Sequence, residues 1–176
     1  MSHKVTNIVK LQHSDAVLLS KAVAGFNGSG LLRALMPIPS ELVLDIESDS
    51  IDLDRAANKV KYGYSDVYEF CIGEWGCTRD IDSTFLKSEV VDKMAVLEFD
   101  TVETAPFDVY DRLVEFGFDV VSYYWEPSLG YCGIWDNGLD DYIDISRYSS
   151  DVIKNLIDPE LDYMFGITKS IEEQFA

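Results

Sequence analysis

Acidic side chains crowd the second half of this chain, and aromatic ones are interleaved with them. From Glu98 to the C-terminus there are 18 Asp and Glu against four Lys and Arg, within an overall formal charge of −18. Burying a carboxylate without a partner is strongly unfavourable, so these acids must lie on a surface. The same stretch holds Phe116, Phe118, Tyr123, Tyr124, Trp125, Tyr131 and Trp135, residues that acidic disordered tails lack. A packed interior under an acidic coat satisfies both demands. With 47% hydrophobic residues over 176 positions, the material suffices for one ordinary domain spanning the whole chain.

Residues 5–11 alternate in the manner of a strand that is apolar on much of both faces, which places it centrally. Ser14 can cap a helix with Ala16, Leu19, Val23 and Phe26 inward, ended by Asn27-Gly28-Ser29-Gly30. Residues 31–35 then read as a second strand, stopped by Pro37-Ile38-Pro39. Residues 53–64 suggest a helix, and residues 67–75 have strand-like composition. Residues 94–99 alternate as a strand, and Pro106 opens a helix as its first residue, with Val109, Tyr110, Leu113 and Val114 inward. Residues 118–125 and 131–135 form a hairpin across Glu126-Pro127-Ser128-Leu129-Gly130. Two short helices, 150–157 and 159–165, follow. The order predicts an α+β fold: a ferredoxin-like split βαβ core with an antiparallel sheet over about 5–138, and a helical extension over about 139–176.

Several motifs stand in one order: Asn7 in the first strand; Leu35-Met36-Pro37-Ile38-Pro39-Ser40-Glu41-Leu42; Trp75-Gly76 before Arg79-Asp80; Phe99-Asp100-Thr101 before Ala105-Pro106; and Tyr124-Trp125-Glu126-Pro127 leading to Gly130-Tyr131-Cys132-Gly133. Together they resemble the YubB-type ferredoxin-like family of small plasmid and phage proteins. The chain departs from that pattern in lacking an early Trp-containing Asn motif, and in carrying Cys77-Thr78-Arg79-Asp80 after Trp75-Gly76. The resemblance implies the fold and a mobile-element origin. It brings no activity and no functional residue.

Most enzymatic chemistries find little footing. His3 and His13 are the only histidines, and no nucleophile motif frames Ser, Cys or His. Cys71, Cys77 and Cys132 are odd in number, lack zinc spacing and sit among apolar residues, which suits reduced thiols. The acidic runs at 45–49 and 136–141 do not reproduce a calcium loop and read as solvated loops. Gly25 to Gly30 follows a helix, the reverse of a phosphate loop. An acidic face excludes direct nucleic-acid binding by base stacking, which needs a basic surround. No cofactor, no metal and no membrane partner is expected. Nothing after the N-terminus reads as a signal peptide or anchor, so a cytoplasmic location in the host cell is expected.

What remains is the acid itself. Asp108, Asp111 and Glu115 fall at i, i+3 and i+7, on one helix face. Asp136, Asp140, Asp141 and Asp144 follow the hairpin, and Asp151, Asp158, Glu160 and Asp162 lie among the C-terminal helices. The expectation is a non-enzymatic acidic inhibitor whose Asp108, Asp111, Glu115, Asp140, Asp141 and Asp144 mimic phosphates. Its partner would be a basic, nucleic-acid-binding host protein such as a restriction or CRISPR component. The alternatives are a small metal-dependent enzyme using surface carboxylates, and an interaction module docking through Trp125, Tyr131 and Trp135.

Overall fold

The structure, a computed structural model, describes residues 3–45, 50–81 and 88–175. Six strands pair antiparallel in the order β2-β3-β1-β4-β5-β6. They are β1 (Lys4–Gln12), β2 (Ser88–Val91), β3 (Met94–Val102), β4 (Asp119–Glu126), β5 (Tyr131–Asp136) and β6 (Leu139–Asp144). Between β1 and β2 come α1 (Ala16–Phe26), α2 (Leu31–Leu35), α3 (Ile51–Tyr62) and α4 (Val67–Phe70). Helix α5 (Phe107–Glu115) joins β3 to β4, and α6 (Ser150–Leu156), α7 (Pro159–Phe165) and α8 (Ile167–Phe175) follow β6. The protein is α+β. Among the described residues no helix is long and apolar enough to cross a membrane.

Strand β1 lies inside the sheet, paired with β3 on one side and β4 on the other. Its alternate residues Val5, Asn7, Val9 and Leu11 are all buried, on the face that packs against Leu19 and Phe26 of α1, Leu31 of α2, and Val109 and Leu113 of α5. The opposite face of β4 and β5 presents Tyr123 and Cys132. Ile153 of α6, Leu161 of α7 and Ile167 at the start of α8 cover it. Each of these fully buried aliphatic side chains is worth roughly 2 kcal/mol relative to exposure, which fastens the C-terminal helices to the sheet.

The buried polar residue of β1 is satisfied by its neighbours. Asn7 Nδ2 donates to the Val5 carbonyl at 3.1 Å and to Thr101 Oγ1 at 3.0 Å. The Tyr110 hydroxyl donates to Asn7 Oδ1 at 3.2 Å and accepts from Ser122 Oγ at 3.0 Å. This chain of bonds joins β3, β1, α5 and β4, and complete satisfaction lets it fix their registry instead of destabilising the core.

Several sequence expectations are corrected. Residues 31–35 are a helix, α2, not a strand. Residues 67–75 are α4 followed by a π-helical turn, Cys71–Trp75. The cap of α1 is Asp15, which accepts from Val17 N and Leu18 N, and not Ser14. Pro106 is the cap position of α5, with Phe107 its first residue. The run 136–141 is no loop: it crosses from β5 into β6, so the region after residue 138 begins with a strand. The C-terminal tail is a third helix, α8. The acidic run at 45–49 lies mostly outside the described residues, since 46–49 are not among them.

Candidate functional site

Helix α5 buries Val109, Tyr110 and Leu113 and leaves Asp108, Asp111 and Glu115 exposed, as the 3.6-residue period requires. Ring contacts of Phe107 with Tyr124 and of Tyr110 with Trp135, at 5.6 and 5.3 Å between centroids, place α5 over β4 and β5. Asp108 stands in the first turn, where the positive end of the helix dipole favours a carboxylate. Arg112 pairs with Glu115 one turn on.

Strand β6 forms one edge of the sheet, and its register sorts its three aspartates. Asp140 is opposite Trp135 and Asp144 opposite Tyr131, whereas Asp141 is opposite Ile134. Trp135 and Tyr131 belong to the cluster under α5, and Ile134 to the one under α6–α8. Directly opposite residues share a face, so Asp140 and Asp144 lie on the α5 side of the sheet and Asp141 on the other. Five of the six expected carboxylates are thus brought to one side, and Asp141 is separated from them.

Two of the five are held in place. The Tyr124 hydroxyl donates to Asp140 Oδ1 at 2.7 Å. Gly133, opposite Tyr124 in the β4–β5 ladder, leaves room for that phenol, because a Cβ there would overlap the Tyr124 oxygen. Burial raises the Tyr124 pKa, and the Asp140 carboxylate adds to the shift, so the phenol stays a donor. Asp144 Oδ1 accepts from Ser146 N at 2.9 Å and Ser146 Oγ at 2.6 Å, and these bonds lower its pKa.

Several cations elsewhere are already matched. Arg55 pairs with Asp66, Lys59 with Glu69, Lys61 with Glu41, Lys4 with Asp100 and Lys10 with Glu160. Hydrogen bonds from Lys61, first, and from its own backbone hold Glu41 at about 2. Among the described residues, Asp108, Asp111, Asp140, Asp141 and Asp144 take part in no ion pair.

A second feature is a cleft of about 600 Å³ between residues 76–81 and the β3–α5 connection. Its wall includes Cys77, Arg79, Asp80, Asp100, Thr101 and Asp108. Sequence reasoning did not assemble it, because the two segments are remote in the chain. Asp80 accepts from Leu32 N and Arg33 N at 2.8 and 2.7 Å and so caps α2 across 48 residues. Burial still holds its pKa above the ordinary carboxylate value. Asp100 is taken by Lys4 at 2.7 Å and Thr6 at 2.9 Å. Both carboxylates are committed to structure, which leaves no free acid and base pair between them. Among the described residues no group of three His, Cys, Asp or Glu is placed to hold a metal ion.

Cys77 donates to the Arg79 carbonyl at 3.2 Å, and burial pushes its thiol up to about 11 from the ordinary 9.0. Thiolate is the reactive form, so at pH 8 a disulfide reagent should label native Cys77 about 100-fold more slowly than the same residue in urea-unfolded chain. The native rate should climb as pH approaches 11. Equal native and unfolded rates would contradict the burial. The other two thiols, Cys71 and Cys132, are buried and free.

Comparison of the chain with protein-family models, with curated proteins and with solved structures gives no match.

Proposed function

We propose that this protein is a non-enzymatic acidic inhibitor that occupies the nucleic-acid groove of a basic host protein. The observation that carries this reading is the side of the sheet bearing Asp108, Asp111, Glu115, Asp140 and Asp144: the carboxylates are exposed, and all but Glu115 form no ion pair among the described residues. Each row is also rigidly spaced. Asp108 to Glu115 spans about 10 Å along a helix, and Asp140 to Asp144 about 13 Å along a strand. A groove built for regularly spaced phosphates offers Lys and Arg at comparable intervals, and binding there would release the counterions that both surfaces hold.

The strand order β2-β3-β1-β4, with helices in the β1–β2 and β3–β4 connections, supports reading the first four strands as a ferredoxin-like split βαβ core extended by β5 and β6. The resemblance to YubB-type plasmid and phage proteins then favours a host defence component, of restriction or CRISPR type, as the partner.

The test is capture from a host lysate on the immobilised protein at low salt, elution by a salt gradient and identification of what is released. The expected result is a nucleic-acid-binding protein that elutes with salt and gives up its DNA or RNA when free inhibitor is added. Recovery of abundant basic proteins that keep their nucleic acid in its presence would overturn the proposal.

A further inference from the structure

Helix α3 buries one of its twelve residues, Asn58. Asn58 Nδ2 ties the helix to the body by donating to the Glu41 carbonyl at 2.8 Å and the Ser65 carbonyl at 3.4 Å. Arg55, three residues earlier on the same side, pairs with Asp66 at 3.5 Å. The opposite side carries Leu53, Ala56, Ala57 and Val60 at i, i+3, i+4 and i+7, all exposed. Leu53 is 76% accessible and Val60 90%, the highest value of any large apolar side chain among the described residues. Scattered exposed apolar residues need no explanation, but these two stand one above the other on one stripe, with alanines between them.

The charges flanking the stripe say what covers it. The first turn of α3 is acidic, with Asp52 and Asp54, and the last is basic, with Lys59 and Lys61. Turned antiparallel about the point between Ala56 and Ala57, the segment is complementary to itself. Leu53 of one copy meets Val60 of the other, Asp52 lies on the same flank as the other copy's Lys59 and Asp54 on the same flank as its Lys61, and alanine meets alanine where the axes cross. Small residues at the crossing allow the close end of the usual 8–10 Å helix separation, and the two macrodipoles oppose. Lys59 and Lys61 already bind Glu69 and Glu41 at 2.8 and 2.9 Å, with side chains 56% and 61% accessible. An ammonium has three donors and can take a second carboxylate. Net charge also selects this place. Two molecules of formal charge −18 repel across most of their surface, whereas residues 51–62 hold two acids and three bases.

We propose that α3 is the contact of a two-fold homodimer, an arrangement in which the same patch serves both copies. The inference stands on α3 alone and is independent of the acidic face formed by α5 and β6. A helix of this length, about 18 Å, buries less than the ~1,000 Å² that a stable specific interface clears, so the association is weak and transient.

Sedimentation equilibrium of the full chain from about 10 µM to 1 mM, near 0.15 M salt, tests it. The weight-average mass should rise from 19.9 kDa towards twice that value. Val60→Asp, at a position that touches little but solvent, should stay monomeric throughout with an unchanged circular dichroism spectrum. Two charge-swapped chains, Asp52→Lys with Asp54→Lys and Lys59→Asp with Lys61→Asp, should each be monomeric and should combine one to one when mixed. A native chain still monomeric at 1 mM overturns the proposal. So does a Val60→Asp chain that dimerises like the native one, or folded swapped chains that ignore each other. Should a swapped chain fail to fold, Val60→Asp decides alone.

Discussion

Lysine introduced together at Asp108, Asp111, Asp140 and Asp144 will slow association with the basic partner by roughly 10- to 1,000-fold, the range over which a focused field steers an encounter. Four reversals of two charges each move the formal charge from −18 to about −10, and they do so on the side of the sheet where four exposed carboxylates stand together without an ion pair. Glu115 is left intact because it holds Arg112. The internal control is Asp141→Lys. Its residue faces the α6–α8 side, so it should change the rate by less than about threefold, the effect of net charge alone. Raising salt towards 1 M shrinks the Debye length to about 3 Å and should bring the native and reversed rates together. One member of the set carries a structural burden: Lys at 140 deprives the Tyr124 hydroxyl of its acceptor, at about 1–2 kcal/mol. A triple variant that keeps Asp140 separates loss of fold from loss of charge. Folded variants that bind at the native rate would refute the mimicry reading, and equal losses from Asp141→Lys would show that position on the sheet is irrelevant.

That contrast between Asp140 and Asp141 also marks how far the sequence could be read. The acidic row on α5 follows from a 3.6-residue period visible in the chain. The row on β6 follows from a two-residue period that becomes visible only once residues 139–144 are known to be a strand. Three aspartates in six residues argue against a central strand. They suit an edge, where charge discourages unwanted pairing, and an edge is defined by which strands lie elsewhere. β1, β3 and the β4–β5 hairpin were legible because alternation and a turn signal agreed over short distances. Residues 31–35 were not, because a five-residue apolar run fits a strand or a helix equally. What decides for helix is a carboxylate 48 positions away. The cleft escaped for the same reason, its two walls being joined by tertiary contacts that no local pattern encodes.

Alanine at Gly30 should lower stability by roughly 2–5 kcal/mol, about 10 °C in Tm for a chain of this size. Two separate causes produce that sum. Gly30 has φ +112 and ψ 145, a region essentially reserved for glycine, where a side chain costs about 1–3 kcal/mol. A Cβ built there would also overlap Asp80 Oδ2 and come within 2.8 Å of its Cγ, pushing the carboxylate off the Leu32 and Arg33 amides that it caps. Helix α2 has no other side-chain cap, since Gly30 occupies the cap position itself. Loss of a cap costs about 1–2 kcal/mol, so Asp80→Ala alone should cost that much. The two substitutions must then be strongly non-additive. With Asp80 already gone there is nothing for the new methyl group to displace, and Gly30→Ala should cost only its backbone strain, leaving a coupling of about 1–2 kcal/mol. Urea titrations of the two single variants and the double variant measure it directly. Effects that add within about 0.5 kcal/mol would mean that glycine is needed at position 30 for its backbone alone. A clear coupling would show that this position is kept bare so that a residue on the far wall of the cleft can start a helix.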